Sequence, residues 1–199
     1  MLQERLKKDT RPDHDTIEEL MFVQSIMTGT LSLQQYKTLL TTNYLVHEAF
    51  EALLFNRLSD QTADEIQITR RRKLPALVKD LRELPMDTPP TAGVVPADLF
   101  YTNEPSALGA LYVLEGASLG GHVIVKKLAT NPVLNHLNLN FHYYRIYGDD
   151  LIPNWKSFCA VLNRQPEADY PIILDGARKM LACFSSIQRP AFHAFSVPL

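Results

Sequence analysis

Apolar residues in this chain recur at intervals of three and four and scarcely ever at alternate positions. That is the period of helices buried on one face, and it argues against a sheet as the scaffold. The clearest stripe is Tyr36, Leu39, Leu40, Leu45, Phe50, Leu53 and Leu54, opened by Ser32 and Gln35 in capping-box spacing. It predicts a helix to about Leu58. Before it, residues 2 to about 27 read as a short helix running into a longer one, with Pro12 in a first turn or at a kink. A stretch from about Ala63 to Leu84 is interrupted at Pro75, and the proline-rich segment 85–97 reads as a loop. Asn103 can cap a helix that opens Glu104-Pro105 and runs to about Thr130. Helices over Trp155 to Asn163 and from about Pro166 to Ile187 follow, with a loose tail expected after Pro190. The expectation is an all-α fold of seven or eight helices, in one domain spanning residues 1–199.

Composition narrows the function classes. With 46% hydrophobic and 21% charged residues in 199, the chain can bury a core. A net charge of -2 gives no reason to expect a nucleic-acid partner. No apolar run approaches the roughly 20 residues of a membrane span, and the start MLQERLKKDT lacks the apolar centre of a signal peptide. A cytoplasmic location is therefore expected. Cys159 and Cys183, with no CxxC partner, read as buried thiols of a reducing compartment. The run Arg70-Arg71-Arg72-Lys73 reads as a solvated face or, if functional, as a docking patch for an acidic electron donor.

Two segments carry chemistry. Lys7, Arg11, His14 and Glu18, spaced by four, three and four, share one helix face bordering the apolar side of Leu6, Ile17 and Met21. Such a stripe is commonly just a solvated surface. A lone histidine holds no bare metal ion usefully, but it can hold an iron whose in-plane positions a porphyrin supplies, with nearby cations meeting carboxylates at the ligand's edge. The second segment, LEGASLGGH, places Gly116, Gly120 and Gly121 inside a helical stretch, where each costs about 1 kcal/mol relative to alanine. Either another helix packs closely there, or a flat ligand lies against the backbone.

Together the segments resemble the heme oxygenase family. Leu6-Lys7-x-x-Thr10-x-x-x-His14-x-x-x-Glu18 is similar to its proximal helix. Gly109-x-x-Tyr112-x-x-x-Gly116-x-x-x-Gly120-Gly121 is similar to its distal helix, and Trp155-x-x-Phe158 to its bacterial members. The resemblance implies a single-domain heme-oxygenase-like helical bundle that opens heme to biliverdin, releasing iron and carbon monoxide and using dioxygen and external electrons. It implies His14 as the axial iron ligand with Glu18 as its partner, Lys7, Arg11 and Tyr112 at the heme propionates, and Gly116, Gly120 and Gly121 along the distal face. His122 is expected to point away from the iron. The electron donor would be a ferredoxin, a flavodoxin or an NAD(P)H-dependent reductase. Where many members carry an aspartate after the first distal glycine, this chain has Ala117, so Ser118, backbone carbonyls or a distant acid must organise the proton-delivering water. Gly116, Ser118 and Gly120 are the expected catalytic positions. The rival reading is a heme carrier or sensor on the same fold without turnover.

Overall fold

In the computed structural model, which describes residues 1–89 and 101–196, ten α-helices form among the described residues. They are α1 (Leu2–Asp9), α2 (Arg11–Leu20), α3 (Val23–Thr28), α4 (Leu33–Phe55), α5 (Asp60–Glu65), α6 (Leu74–Glu83), α7 (Glu104–Leu119), α8 (Gly121–Ala129), α9 (Leu151–Asn163) and α10 (Tyr170–Ser196).

The starts follow their sequence signals. Ser32 and Gln35 close the expected capping box of α4, with Ser32 Oγ accepting from Gln35 N at 3.1 Å and Gln35 Oε1 accepting from Ser32 N at 2.9 Å. Asn103 caps α7 by accepting from Ser106 N at 3.0 Å. Pro12 and Pro75 both sit in first turns, where a missing N–H costs nothing. Pro75 therefore opens α6 rather than interrupting a helix, and the break falls earlier, at a short 3-10 turn over Ile68–Arg71.

Several boundaries differ from expectation, and the helix expected from Glu104 to about Thr130 breaks at Gly120 into α7 and α8. Phe22 adopts a left-handed φ of 55°, which splits the N-terminal stretch into α2 and α3. Helix α4 ends at Phe55, and α10 continues beyond Ile187 and Pro190 to Ser196. The expected loop at 85–97 is non-helical through residue 89, and its remainder lies outside the described residues, as do 197–199.

Two helices organise the core. Ile173, Ala177, Met180 and Phe184 of α10, at spacings of four, three and four, pack on Ala107, Leu108, Leu111 and Leu114 of α7. Burying each of the Ile, Leu, Met and Phe side chains among them stabilises by about 1.5–3 kcal/mol. The approach is close enough to demand glycine: a Cβ on Gly109 would stand 1.9 Å from the Ile173 carbonyl oxygen, and one on Gly176 2.3 Å from that of Ser106. Among the described residues no single helix is long and apolar enough to cross a membrane.

A non-helical segment between α8 and α9 is pinned to α6 by carboxylates. Asp80 accepts from the backbone N–H of His142 at 2.7 Å and Tyr143 at 2.9 Å, and burial pushes its pKa up to about 6. Glu83 accepts from Asn140 N at 2.9 Å and pairs with His142 Nε2 at 3.0 Å. Asp80, Glu83 and His142 thus resemble a metal-binding cluster, but their polar atoms are already committed to holding the segment.

Candidate functional site

A cavity of about 690 Å³ lies between α1–α3 on one side and the α7–α8 junction on the other. That volume suits a drug- or cofactor-sized ligand. Lys7, Arg11, His14 and Glu18 line its first wall, and Tyr112, Gly116 and Gly120 line its second. The two sequence segments, about 100 residues apart, therefore face each other.

On the first wall, His14 Nδ1 stands 3.6 Å from Glu18 Oε1, with the two side chains 53% and 45% exposed. At that distance the carboxylate stands beside the ring without a hydrogen bond to it, and both side chains line the cavity. Arg11 extends along the same helix to Asp15, with Nε 2.6 Å from Oδ1. Both partners of that pair are exposed, so the guanidinium is held only weakly and can exchange Asp15 for another carboxylate.

The second wall is the bent pair α7–α8, which turns by 40° where Gly120 ends one helix and caps the next. Its glycines divide by what they face. A Cβ on Gly116 would meet only the Trp155 ring at 3.8 Å, and one on Gly120 the Ile124 side chain at 3.5 Å, both ordinary contacts. No neighbouring backbone requires glycine at these two positions, and both open on the cavity. Gly121 is different: its Cβ would stand 2.7 Å from the Tyr144 carbonyl oxygen, so it packs against the 140s segment and does not line this cavity. The expectation of three glycines along one ligand-facing wall therefore narrows to two.

Melting the variants separates the two kinds of glycine. Gly109→Ala is expected to cost about 2–3 kcal/mol by overpacking, roughly 5–10 °C in Tm. Gly116→Ala is expected to leave Tm unchanged or raise it slightly, because alanine is the better helix former.

Ser118 and His122 turn to the other side of α7–α8. There they line a second cavity of about 630 Å³ with Lys126, Arg145 and Tyr147. His122 lines this second cavity and not the first. Ser118 does not reach the first cavity and is not placed to organise water there. Tyr144 borders both cavities.

Polar groups that also line the first cavity include Asn43 of α4 and Tyr143 of the pinned segment. Both are buried, and Tyr143 donates its hydroxyl to Asn43 Oδ1 at 2.9 Å. Neither carries a sequence signal. Asn43 looks like any polar residue in a long helix, and Tyr143 like one of several tyrosines in an irregular stretch.

The largest departure from expectation concerns the basic run. Arg70 and Arg72 are exposed, but Arg71 and Lys73 are fully buried and converge on Glu115, the residue before Gly116. Arg71 also donates to Ile66 O at 2.6 Å, Asn154 O at 2.9 Å and Ser157 Oγ at 3.0 Å. Tyr147 donates to Glu115 Oε2 at 2.8 Å. Burial raises the Glu115 pKa, yet the two cations outweigh it and hold the carboxyl below its usual range. Arg71 and Lys73 thus form neither a solvated face nor a docking patch. One clue was available, since a glutamate inside an apolar glycine-rich helix requires buried cationic partners.

Comparison with known proteins agrees with this architecture. The family model for heme oxygenase matches residues 1–188. A curated heme oxygenase from Xanthomonas campestris pv. campestris is 31% identical over 175 residues, 84% of this chain and 99% of that protein. Among solved structures, the NO- and CO-bound heme oxygenase from Neisseria meningitidis superposes with a TM-score of 0.72 at 22% identity, covering 97% of this chain and 92% of that one. Heme oxygenase-1 from the cyanobacterium Synechocystis, in complex with heme, gives a TM-score of 0.75 at 18% identity, covering 98% and 93%. With the family pattern running through nearly the whole sequence and the fold matching from end to end, this chain belongs to the heme oxygenase family.

Proposed function

We propose that the cavity between α1–α3 and the α7–α8 junction binds heme and that the chain opens it to biliverdin, releasing iron and carbon monoxide. The observation that carries this reading is the pairing across the cavity of His14, on one wall, with Gly116 and Gly120 on the other, where nothing in the packing requires glycine. In this reading His14 is the axial ligand to the iron and Glu18 orients its ring. Lys7, Arg11 and Tyr112, which line the cavity, meet the propionates. Bound heme supplies the iron at which dioxygen is activated by electrons from an external donor of the ferredoxin, flavodoxin or NAD(P)H-dependent reductase class. Gly116 and Gly120 let the helix backbone approach the face of the porphyrin and place no acidic side chain over it.

Adding hemin to the purified protein is expected to produce a sharp Soret band at one equivalent. Reductant and air should then convert it to a far-red biliverdin band. A hemin complex that stays intact under those conditions would identify a carrier or sensor, and the absence of a Soret band would overturn the reading.

A further inference from the structure

We propose that the second cavity is a ligand site in its own right and takes a small amphipathic anion, an aromatic carboxylate or its like. This goes beyond heme chemistry and does not depend on what the first cavity binds.

The pair α7–α8 is a partition with a cavity on each side. Gly116, Gly120, Val123 and Ile124 line the first cavity, while Ser118, His122, Val125 and Lys126 line the second. The second row is offset from the first by two residues along the same helical stretch. Two residues turn a helix by about 200°, so the rows look in opposite directions. Ala129 and Thr130 extend the second row, and residues 144–149 with Leu151 complete the lining. Gly121 keys the partition to that segment, since its Cβ would stand 2.7 Å from the Tyr144 carbonyl oxygen. The space enclosed, about 630 Å³, is close to the 690 Å³ of the first cavity and within the range of small-molecule sites.

The lining divides into an apolar part and a cationic one. Val125 is buried, and Tyr144, Ile146 and Leu151 are half-buried. Tyr147 is buried and gives its hydroxyl to Glu115 at 2.8 Å, so it offers the cavity its ring and not a free polar group. Lys126 and Arg145 supply the charge, and both are exposed. Neither side chain has an ion pair or a hydrogen bond among the described residues. Asp149 is the one carboxylate of the lining, and it pairs with neither. Two unpartnered cations beside an apolar, ring-lined hollow select a guest with an apolar body and an anionic edge. The body leaves water, and the anion meets guanidinium and ammonium through charge-assisted hydrogen bonds. A neutral guest would leave the cations unused, and a small hydrophilic anion would leave the apolar lining wet.

The probe is anilinonaphthalene sulfonate, an aromatic anion, titrated calorimetrically into the full chain after saturation with hemin, so that the first cavity is filled. One equivalent is expected to bind. Lys126→Ala combined with Arg145→Ala should weaken it about tenfold, the sum of two partly exposed ion pairs, and remove most of its salt dependence. Ala129→Trp, which fills the hollow and keeps both cations, should abolish binding. All three positions are exposed, so the variants are expected to keep the parent's Tm and hemin spectrum. The neutral analogue phenylnaphthylamine should bind the parent and the double variant alike. No uptake by the hemin-loaded parent, or uptake that the double variant and Ala129→Trp both leave unchanged, overturns the site. Uptake lost in Ala129→Trp but untouched by removing the two charges overturns its assignment to an anion. A parent that takes up no hemin overturns the reading of the first cavity alone, and the same variants then decide on the unloaded chain.

Discussion

Replacing Glu115 by alanine is expected to lower Tm by roughly 10 °C or more, the largest loss from any single side chain outside the hydrophobic core. The variant strands Arg71 and Lys73, both fully buried, with no carboxylate to neutralise them. Breaking a buried ion pair by removing one partner costs about 3–5 kcal/mol, mostly for the charge left behind. At 199 residues each kcal/mol shifts Tm by about 2–4 °C. The sign with pH follows from the depressed pKa of Glu115. Its contribution is present above the ordinary carboxylate range and disappears as pH falls through the lower, folded-state pKa. The gap between parent and variant in a thermal melt should therefore narrow in acid, and a gap that stays constant would locate the loss elsewhere.

His14→Ala is expected to do the reverse, removing ligand chemistry while sparing the fold. Helix α2 has no buried residue among its ten, and the His14 side chain is 53% exposed. Alanine at such a site changes stability by no more than about 0.5 kcal/mol. The hemin complex should lose the parent's Soret maximum and ferric spectrum, and turnover should fall to the background rate. Added imidazole should restore part of the spectrum by filling the vacated position. A variant that matches the parent in spectrum and turnover would overturn the assignment of His14.

How far the sequence could be read depended on the range of the interaction. The capping signals at Ser32 and Asn103 are local chemistry, and they located helix starts closely, whereas Pro75 read locally as an interruption although it opens α6. Helix ends were less legible, since tertiary packing sets them and a stripe of apolar residues does not say where it stops. The facing of His14 and Gly116 was accessible only through the resemblance of the two segments to a known family, because the spacing within each does not pair them. The roles of Gly109 and Gly121 were not, because only an approaching backbone distinguishes a packing glycine from a ligand-facing one. Arg71 and Lys73 misled for a related reason. A basic run is solvated unless something distant closes over it, and their partners lie 44 and 42 residues further along the chain.

The contact of α7 with α10 has a mechanical consequence. Interlocked through Gly109 and Gly176, α7 can neither slide nor rotate without driving backbone into backbone. The opposite wall, carried on three short helices of which α2 buries nothing, is much more easily displaced. The cavity thus works as a vice with one fixed jaw and one compliant jaw. A guest in the cavity is therefore expected to enter and leave by movement of the compliant side, at the free-energy cost of a local opening.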